Sequence, residues 1–260
     1  MRLAFISPAL IQPLKLPAAV LLCLILSGLS CAEAGKDKVA SGTMYGIGER
    51  QGTLLYRWSL QYVKGNKEHW LSQYVDSSGA VAAEDELFMK DGNFKEYRYV
   101  RHTTGERADV RAEGDKIIYD QEWGRKAKHS VEKLSANFVT GPYLFVYIQK
   151  NWNSLVRGEP LTIRFGVPDL LRSYEFRLSR DKQEEKARNK DKETVIIKVA
   201  AAGFFVRFFV DPILLEFAES ERVPRRIIGR TLPVEKHGQR VVFIDGDLRI
   251  ERNDKSLQLR

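Results

Sequence analysis

The chain has 260 residues, 43% of them hydrophobic, and carries 42 Lys and Arg against 34 Asp and Glu, a formal net charge of +8. That length suffices for one large β domain or two small ones without covalent staples. Both cysteines, Cys23 and Cys31, fall within the first 34 residues, so a chain cut after Ala34 is left with no disulfide, no Cys-ligated metal and no thiol nucleophile.

The opening stretch has Arg2 and Lys15, then a weakly polar to apolar run from Leu16 through Leu29, then Ala32-Glu33-Ala34. The run is too short to span a bilayer comfortably, and the small-x-small pattern suits signal peptidase. Residues 1–34 are therefore expected to be a cleavable secretory signal, with Gly35 the first mature residue and an exported, periplasmic address. A competing reading lipidates Cys31 behind Gly28-Leu29-Ser30, although the usual leucine three residues before the cysteine is missing. Removing Arg2, Lys15 and Glu33 with the signal leaves 40 basic against 33 acidic residues. Such a balance suits contact with anionic envelope surfaces, or simply keeps a basic protein in solution.

Residues 35–260 read as a single β-rich domain. After a glycine-rich lead, Ser41 to Gly52, the residues Leu54, Tyr56, Trp58, Leu60 and Tyr62 alternate with Leu55, Arg57, Ser59 and Gln61, the period of a half-buried strand. Gly65-Asn66 turns the chain into a returning strand through Trp70, Ser72 and Tyr74. Strands at Glu86–Met89, Phe94–His102, Ala108–Ala112 and Lys116–Tyr119 follow, separated by Asp91-Gly92-Asn93 and Glu113-Gly114-Asp115, whose glycines supply positive φ. This half is predicted to be an antiparallel meander.

One helix is predicted over Pro142 to Arg157, capped by Thr140 and ended by Gly158, with Leu144, Tyr147, Ile148, Trp152 and Leu155 on one face. Alternation resumes in Leu161–Val167, Tyr174–Leu178, Val195–Val199 and Ile213–Phe217. The charged run Arg180 to Glu193 reads as a solvated hairpin tip or loop. The apolar run Ala200 to Val210 fits both helix and strand, and the tail Arg240 to Glu251 is predicted to fold back at Asp245-Gly246 as a last hairpin. Val195 to Phe217 is interrupted by Lys198, Arg207, Asp211, Pro212 and Glu216, so it is no membrane span. Charges crossing the strand faces argue against an outer-membrane barrel. The fold class expected is mainly β (α+β): a single strongly bent antiparallel sheet or half-barrel wrapping one or two helices.

The succession Gly141-Pro142-Tyr143, a helix containing Trp152, Leu155-x-x-Gly158, Ile163-x-Phe165, Asp211-Pro212-Ile213 and Gly229-Arg230-Thr231-Leu232-Pro233 resembles a group of exported bacterial proteins of unknown function. More distantly it is similar to the periplasmic lipoprotein-carrier fold. That resemblance covers mainly residues 138–233. It implies a bent antiparallel sheet with an apolar concavity, and it transfers no catalytic residue.

For chemistry the sequence offers little. His69, His102, His129 and His237 sit among charged or turn residues, and no serine stands in a Gly-x-Ser-x-Gly elbow. No two histidines have metal-ligand spacing, Asp245 and Asp247 lack the later ligands of a calcium loop, and Glu84, Asp85 and Glu86 read as a solvated face. The expectation is no enzyme, no metal, no cofactor and no nucleic acid as partner. Two features remain. Aromatic residues crowd the strand faces; such rings fill a core or, in a bent sheet, line a cavity for an acyl chain, and the candidate lining is Tyr56, Trp58, Trp152, Phe165, Tyr174 and Phe176. Basic residues group at Arg125, Lys126 and Lys128 and at Arg222, Arg225, Arg226 and Arg230. Of these, Arg225, Arg226 and Arg230 are candidates to contact an anionic headgroup or a partner, or else to guard a strand edge. The leading expectation is a non-catalytic module that binds an apolar or lipid-like ligand. The alternative is an envelope interaction protein docking through a basic face, and an envelope hydrolase ranks behind both.

Overall fold

The computed structural model describes residues 36–63, 66–188, 194–203, 211–218, 223–238 and 240–252. The proposed signal, the Cys31 alternative, Gly65, Arg222 and positions 204–210 of the ambiguous apolar run lie outside them. In chain order the first eight strands are β1 (Lys36–Gly46), β2 (Leu54–Val63), β3 (Asn66–Val75), β4 (Val81–Lys90), β5 (Asn93–Arg101), β6 (Glu106–Glu113), β7 (Lys116–Trp123) and β8 (Lys126–Lys133). A two-residue strand, β9 (Phe138–Val139), leads to helices α1 (Tyr143–Lys150) and α2 (Trp152–Arg157). Then come β10 (Leu161–Val167), β11 (Arg172–Arg180), helix α3 (Lys182–Arg188), β12 (Thr194–Ala201), β13 (Ile213–Ala218), β14 (Pro224–His237) and β15 (Arg240–Arg252).

All fifteen strands belong to one sheet, ordered β8-β7-β6-β5-β4-β3-β2-β1-β15-β14-β13-β12-β11-β10-β9. Every pairing is antiparallel except β9 with β10, where Arg164 faces Phe138 and Phe165 faces Val139 in parallel. The sheet does not close into a barrel. Period-two alternation places one face of each strand inward, and the inward residues form three clusters. The first draws on β1–β4, β14, β15 and the start of α1; the second packs α1 and α2 on β10–β13; the third lies under β5–β7. No helix among the described residues is long and apolar enough to cross a membrane.

Several expectations are corrected. The glycine-rich lead is largely strand β1, paired on both sides, by β2 and β15. Its neighbours, more than its own propensity, hold it extended. The predicted single helix is two: the chain breaks at Asn151, whose φ is −109°. Thr140 does not cap it but turns inward, donating to the carbonyl of Gly166 at 3.0 Å. Gly158 does end it, at φ 88°. Within the charged run, residues 182–188 form α3, because Asp181 accepts the N–H groups of Gln183 and Glu184, each at 3.1 Å, and so starts a helix. The tail is one strand and not a hairpin. Gly246 lies in mid-strand between Gly46 of β1 and Gly229 of β14, and a side chain there would meet Met44 Cε at 2.6 Å.

The curled sheet is held by side chains that cross its interior. Arg101, at the end of β5, is 3% exposed. Its guanidinium donates to Glu106 of β6 at 2.7 Å, in bidentate fashion to Asp169 at 2.6 and 3.0 Å, and to the Leu232 carbonyl of β14 at 3.0 Å. Phe243 of β15 stacks on it at 5.1 Å. Each carboxylate also receives a neutral donor: Tyr99 to Asp169 at 2.5 Å and Gln121 to Glu106 at 2.6 Å. Burial alone would lift the Asp169 carboxyl; the hydrogen bond and charge of Arg101 outweigh it and hold the group below the ordinary range. At the open margin, Glu132 of β8 accepts from the Tyr119 hydroxyl at 2.6 Å and from the Ser173 backbone N–H of β11 at 3.1 Å, so a carboxylate spans the gap that no ladder closes.

Replacing Arg101 with Met strands the buried Glu106 carboxylate and the partly buried Asp169 and is expected to cost about 3 to 5 kcal/mol, read as a lower urea midpoint. Adding Asp169→Asn to that background is expected to recover part of the loss.

Candidate functional site

The alternation that builds the meander also sets what faces inward. Register carries a row across the sheet from Leu60 through Ser72, Asp85 and Tyr99 to Ala108 and Gln121. The next row runs Trp58, Tyr74, Ala83, Arg101, Glu106. The inner face of this half is thus aromatic on β2 and β3 and becomes polar toward β5 and β6.

Of the candidate lining residues, Tyr56 and Trp58 stand together on β2 in the first cluster, with Leu60 next on the same face and Tyr74 opposite Trp58; Met89 belongs to the same cluster farther along. The relative exposures of Tyr56 and Trp58 are 7% and 8%, and Leu60, Tyr74 and Met89 retain 7%, 9% and 7%. Trp152, Phe165, Tyr174 and Phe176 belong instead to the second cluster. There Trp152 meets Phe217 edge-on at 5.0 Å and Phe165 tilts onto Phe176 at 5.5 Å. Leu155, Ile163, Leu178, Val195, Ile197 and Phe217 around them are at 0%. The structure does not gather the six rings into one site: Trp152 and Phe176 are buried in the helix-covered half with Phe165 and Tyr174 partly buried against it, and Tyr56 and Trp58 lie in the first cluster.

The basic candidates lie on β14. Arg226 binds Asp247 of β15 through two bonds, at 2.6 and 2.9 Å. Arg230 donates to Asp245 at 2.8 Å and stacks on Phe243 at 4.9 Å. Arg225 is exposed. The forks of Arg226 and Arg230 are thus occupied by cross-strand carboxylates, so an anionic headgroup would have to displace an internal partner. Lys126 and Lys128 fall on β8, a strand at the margin of the sheet, where charge discourages a further strand from pairing.

A buried polar group escaped the sequence reading. Asp85, read as part of a solvated acidic run, is 7% exposed. Its neighbours Glu84 and Glu86 do point outward, toward His102 and Gln73 and toward His69 respectively. Asp85 accepts hydrogen bonds from the Ser72 hydroxyl and, at 3.2 Å, from that of Tyr97. Burial pushes its carboxyl up to about 6 against those two bonds, and Asp85 in turn adds to the burial that raises Tyr74 and Tyr97. Gly141, at φ +47°, lets the chain pass against the Tyr97 ring, where a side chain would come within 2.5 Å. The signal was present in phase: Asp85 keeps step with the inward Ala83, Leu87 and Met89.

The histidines lie with carboxylates on the outer face. His102 is 3.1 Å from Glu84, His129 is 2.7 Å from Asp120, His237 is 3.1 Å from Glu235, and His69 stacks on Phe88 at 4.1 Å. Among the described residues no serine or threonine hydroxyl is hydrogen-bonded to any of these rings.

No family model matches the chain, and no curated protein does. Among solved structures, it is similar to a β-barrel-like protein. That protein, a domain of unknown function (DUF1849) from Brucella abortus, aligns with a TM-score of 0.46 at 12% identity, covering 85% of this chain and 100% of its own. A likeness of that degree transfers no residue role.

The raised Asp85 carboxyl makes stability fall as pH rises. A proton bound more tightly in the folded chain stabilises it fully below the ordinary carboxylate value, and the benefit is lost through about pH 6. Asp85→Asn removes that dependence. Relative to wild type the variant is expected to gain roughly 2 kcal/mol between pH 4 and pH 8, measured by urea unfolding at each pH. A parallel pH profile in the two proteins would refute the assignment.

Proposed function

We propose that the chain is an exported, non-catalytic protein of the bacterial envelope that holds an apolar, acyl-like ligand against the inner strip of β2–β4. The observation that carries this reading is a row of inward rings: Tyr56 and Trp58 of β2, with Leu60 beyond them and Tyr74 facing Trp58 across the ladder, lie side by side and keep 7 to 9% exposure. Aromatic faces in a row present a surface on which a flexible chain gains dispersion and loses water. Export is supported by the apolar run and the Ala32-Glu33-Ala34 pattern ahead of a cysteine-free remainder.

An apolar fluorescent probe, phenylnaphthylamine, displaced by dodecanoate tests it. Binding is expected to weaken about tenfold in Trp58→Ala, the loss of roughly 1.4 kcal/mol of apolar contact, and to stay unchanged in Phe165→Leu, which alters the other cluster. Absence of binding, or equal loss in both variants, would remove the proposal.

A further inference from the structure

A second region, unrelated to the apolar strip, has the chemistry of a binding site. Where β11 and β12 run toward α3, a groove of about 590 Å3 opens on the surface, within the size range of small-ligand sites. Its floor is low because Ala200 and Ser179 are small. Its walls carry Arg177, Arg180, Lys182 and Lys198 against a single carboxylate among the lining residues, Asp181.

Two of these charges are already used. Arg180 donates to Glu185 at 2.8 Å and to the Val156 carbonyl at 2.9 Å. Asp181 gives one oxygen to the first N–H groups of α3, and the other to Lys198 at 3.4 Å. Arg177 and Lys182 have no ion pair or hydrogen bond among the described residues, and both are exposed. Register explains why. Arg177 lies between Ala200 of β12 and Thr162 of β10, and Ser179 lies opposite Lys198, so neither cross-strand neighbour of the guanidinium is a carboxylate.

Several other outward arginines are neutralised. Arg98 sits on Glu96 and Asp109; Arg111 on Glu113 and Asp120; Arg226 and Arg249 share Asp247; Arg230 has Asp245. Each of those guanidiniums meets a carboxylate on its own or a neighbouring strand, and like charges left side by side are unfavourable. In the groove two cations without a carboxylate stand beside hydroxyl and amide groups, Ser179 and Gln183, over a floor of small side chains.

We propose that this groove binds a phosphate group, with the fork of Arg177 and the ammonium of Lys182 supplying charge and Ser179 and Gln183 supplying hydrogen bonds. A guanidinium matches two phosphate oxygens at once and an ammonium meets a third as a point charge. The phosphate can belong to a free metabolite or to a lipid headgroup.

The test uses the purified full chain with two probes: pyrophosphate by calorimetry, and phosphatidylglycerol vesicles by co-sedimentation. The groove variant is Arg177→Gln with Lys182→Gln. The control removes the same charge elsewhere, through Arg107→Gln with Lys116→Gln. Pyrophosphate affinity is expected to fall at least tenfold in the groove variant and to hold in the control, which assigns a soluble phosphate ligand. Vesicle binding lost in the groove variant alone, without pyrophosphate affinity, assigns a headgroup. Arg177→Lys, which keeps the charge but not the fork, is expected to fall between. Binding of neither probe, or equal loss in groove and control variants, overturns the proposal.

Discussion

A guanidinium removed from water at the end of β5 is the constraint on which the fold depends. An isolated buried cation is costly, and the cost is met only if carboxylates and carbonyls from elsewhere in the chain reach it with good geometry. Arg101 therefore dictates positions for β6, the turn at Pro168–Leu170, β14 and β15 together. A sheet of fifteen strands has no intrinsic reason to stop curling at one radius, since twist and apolar burial tolerate a range. Polar contacts with fixed lengths select one. The Glu132 bridge between β8 and β11 repeats the device at the margin, which is how an open sheet keeps its two ends near each other without a hydrogen-bonded ladder.

The strands that were legible in the sequence are those with one wet and one dry face. β2, β3, β5, β6 and β7 announce themselves by alternation, and each was placed to within a few residues. β1 and β8 were not, for opposite reasons. β1 has paired neighbours on both sides and two glycines where others carry bulk, and β8 is exposed along most of its length, so neither shows the pattern. Local chemistry also misled: Asp245-Gly246 has the residues of a turn, yet the strand needs its glycine for the close pass of Met44. The inner carboxylates were hidden because acidic residues were weighed by type. Read by phase, Asp85 and Glu106 stand in line with buried neighbours, and the partners that make them tolerable, Ser72, Tyr97, Arg101 and Gln121, are cross-strand and invisible to a linear reading. The likeness to the lipoprotein-carrier fold, suggested by loose motifs between residues 138 and 233, stays a suggestion.

The two faces of the sheet divide the work. Inside, the aromatic bulk of β2 and β3 grades into a hydrogen-bonded polar region on β5 and β6. Outside, carboxylates and arginines pair along several ladders, which spends charge on register.

The first and last strands lie side by side in the middle of the sheet, Ala40 facing Arg252 and Gly46 facing Gly246. In the ladder β1–β8 and β9–β15 meet at this pairing, and the side-chain contacts of Arg101 with Asp169 and of Glu132 with Ser173 join them again. The β1–β15 seam pairs position 40 with position 252, and contacts so distant in sequence are the slow ones to form.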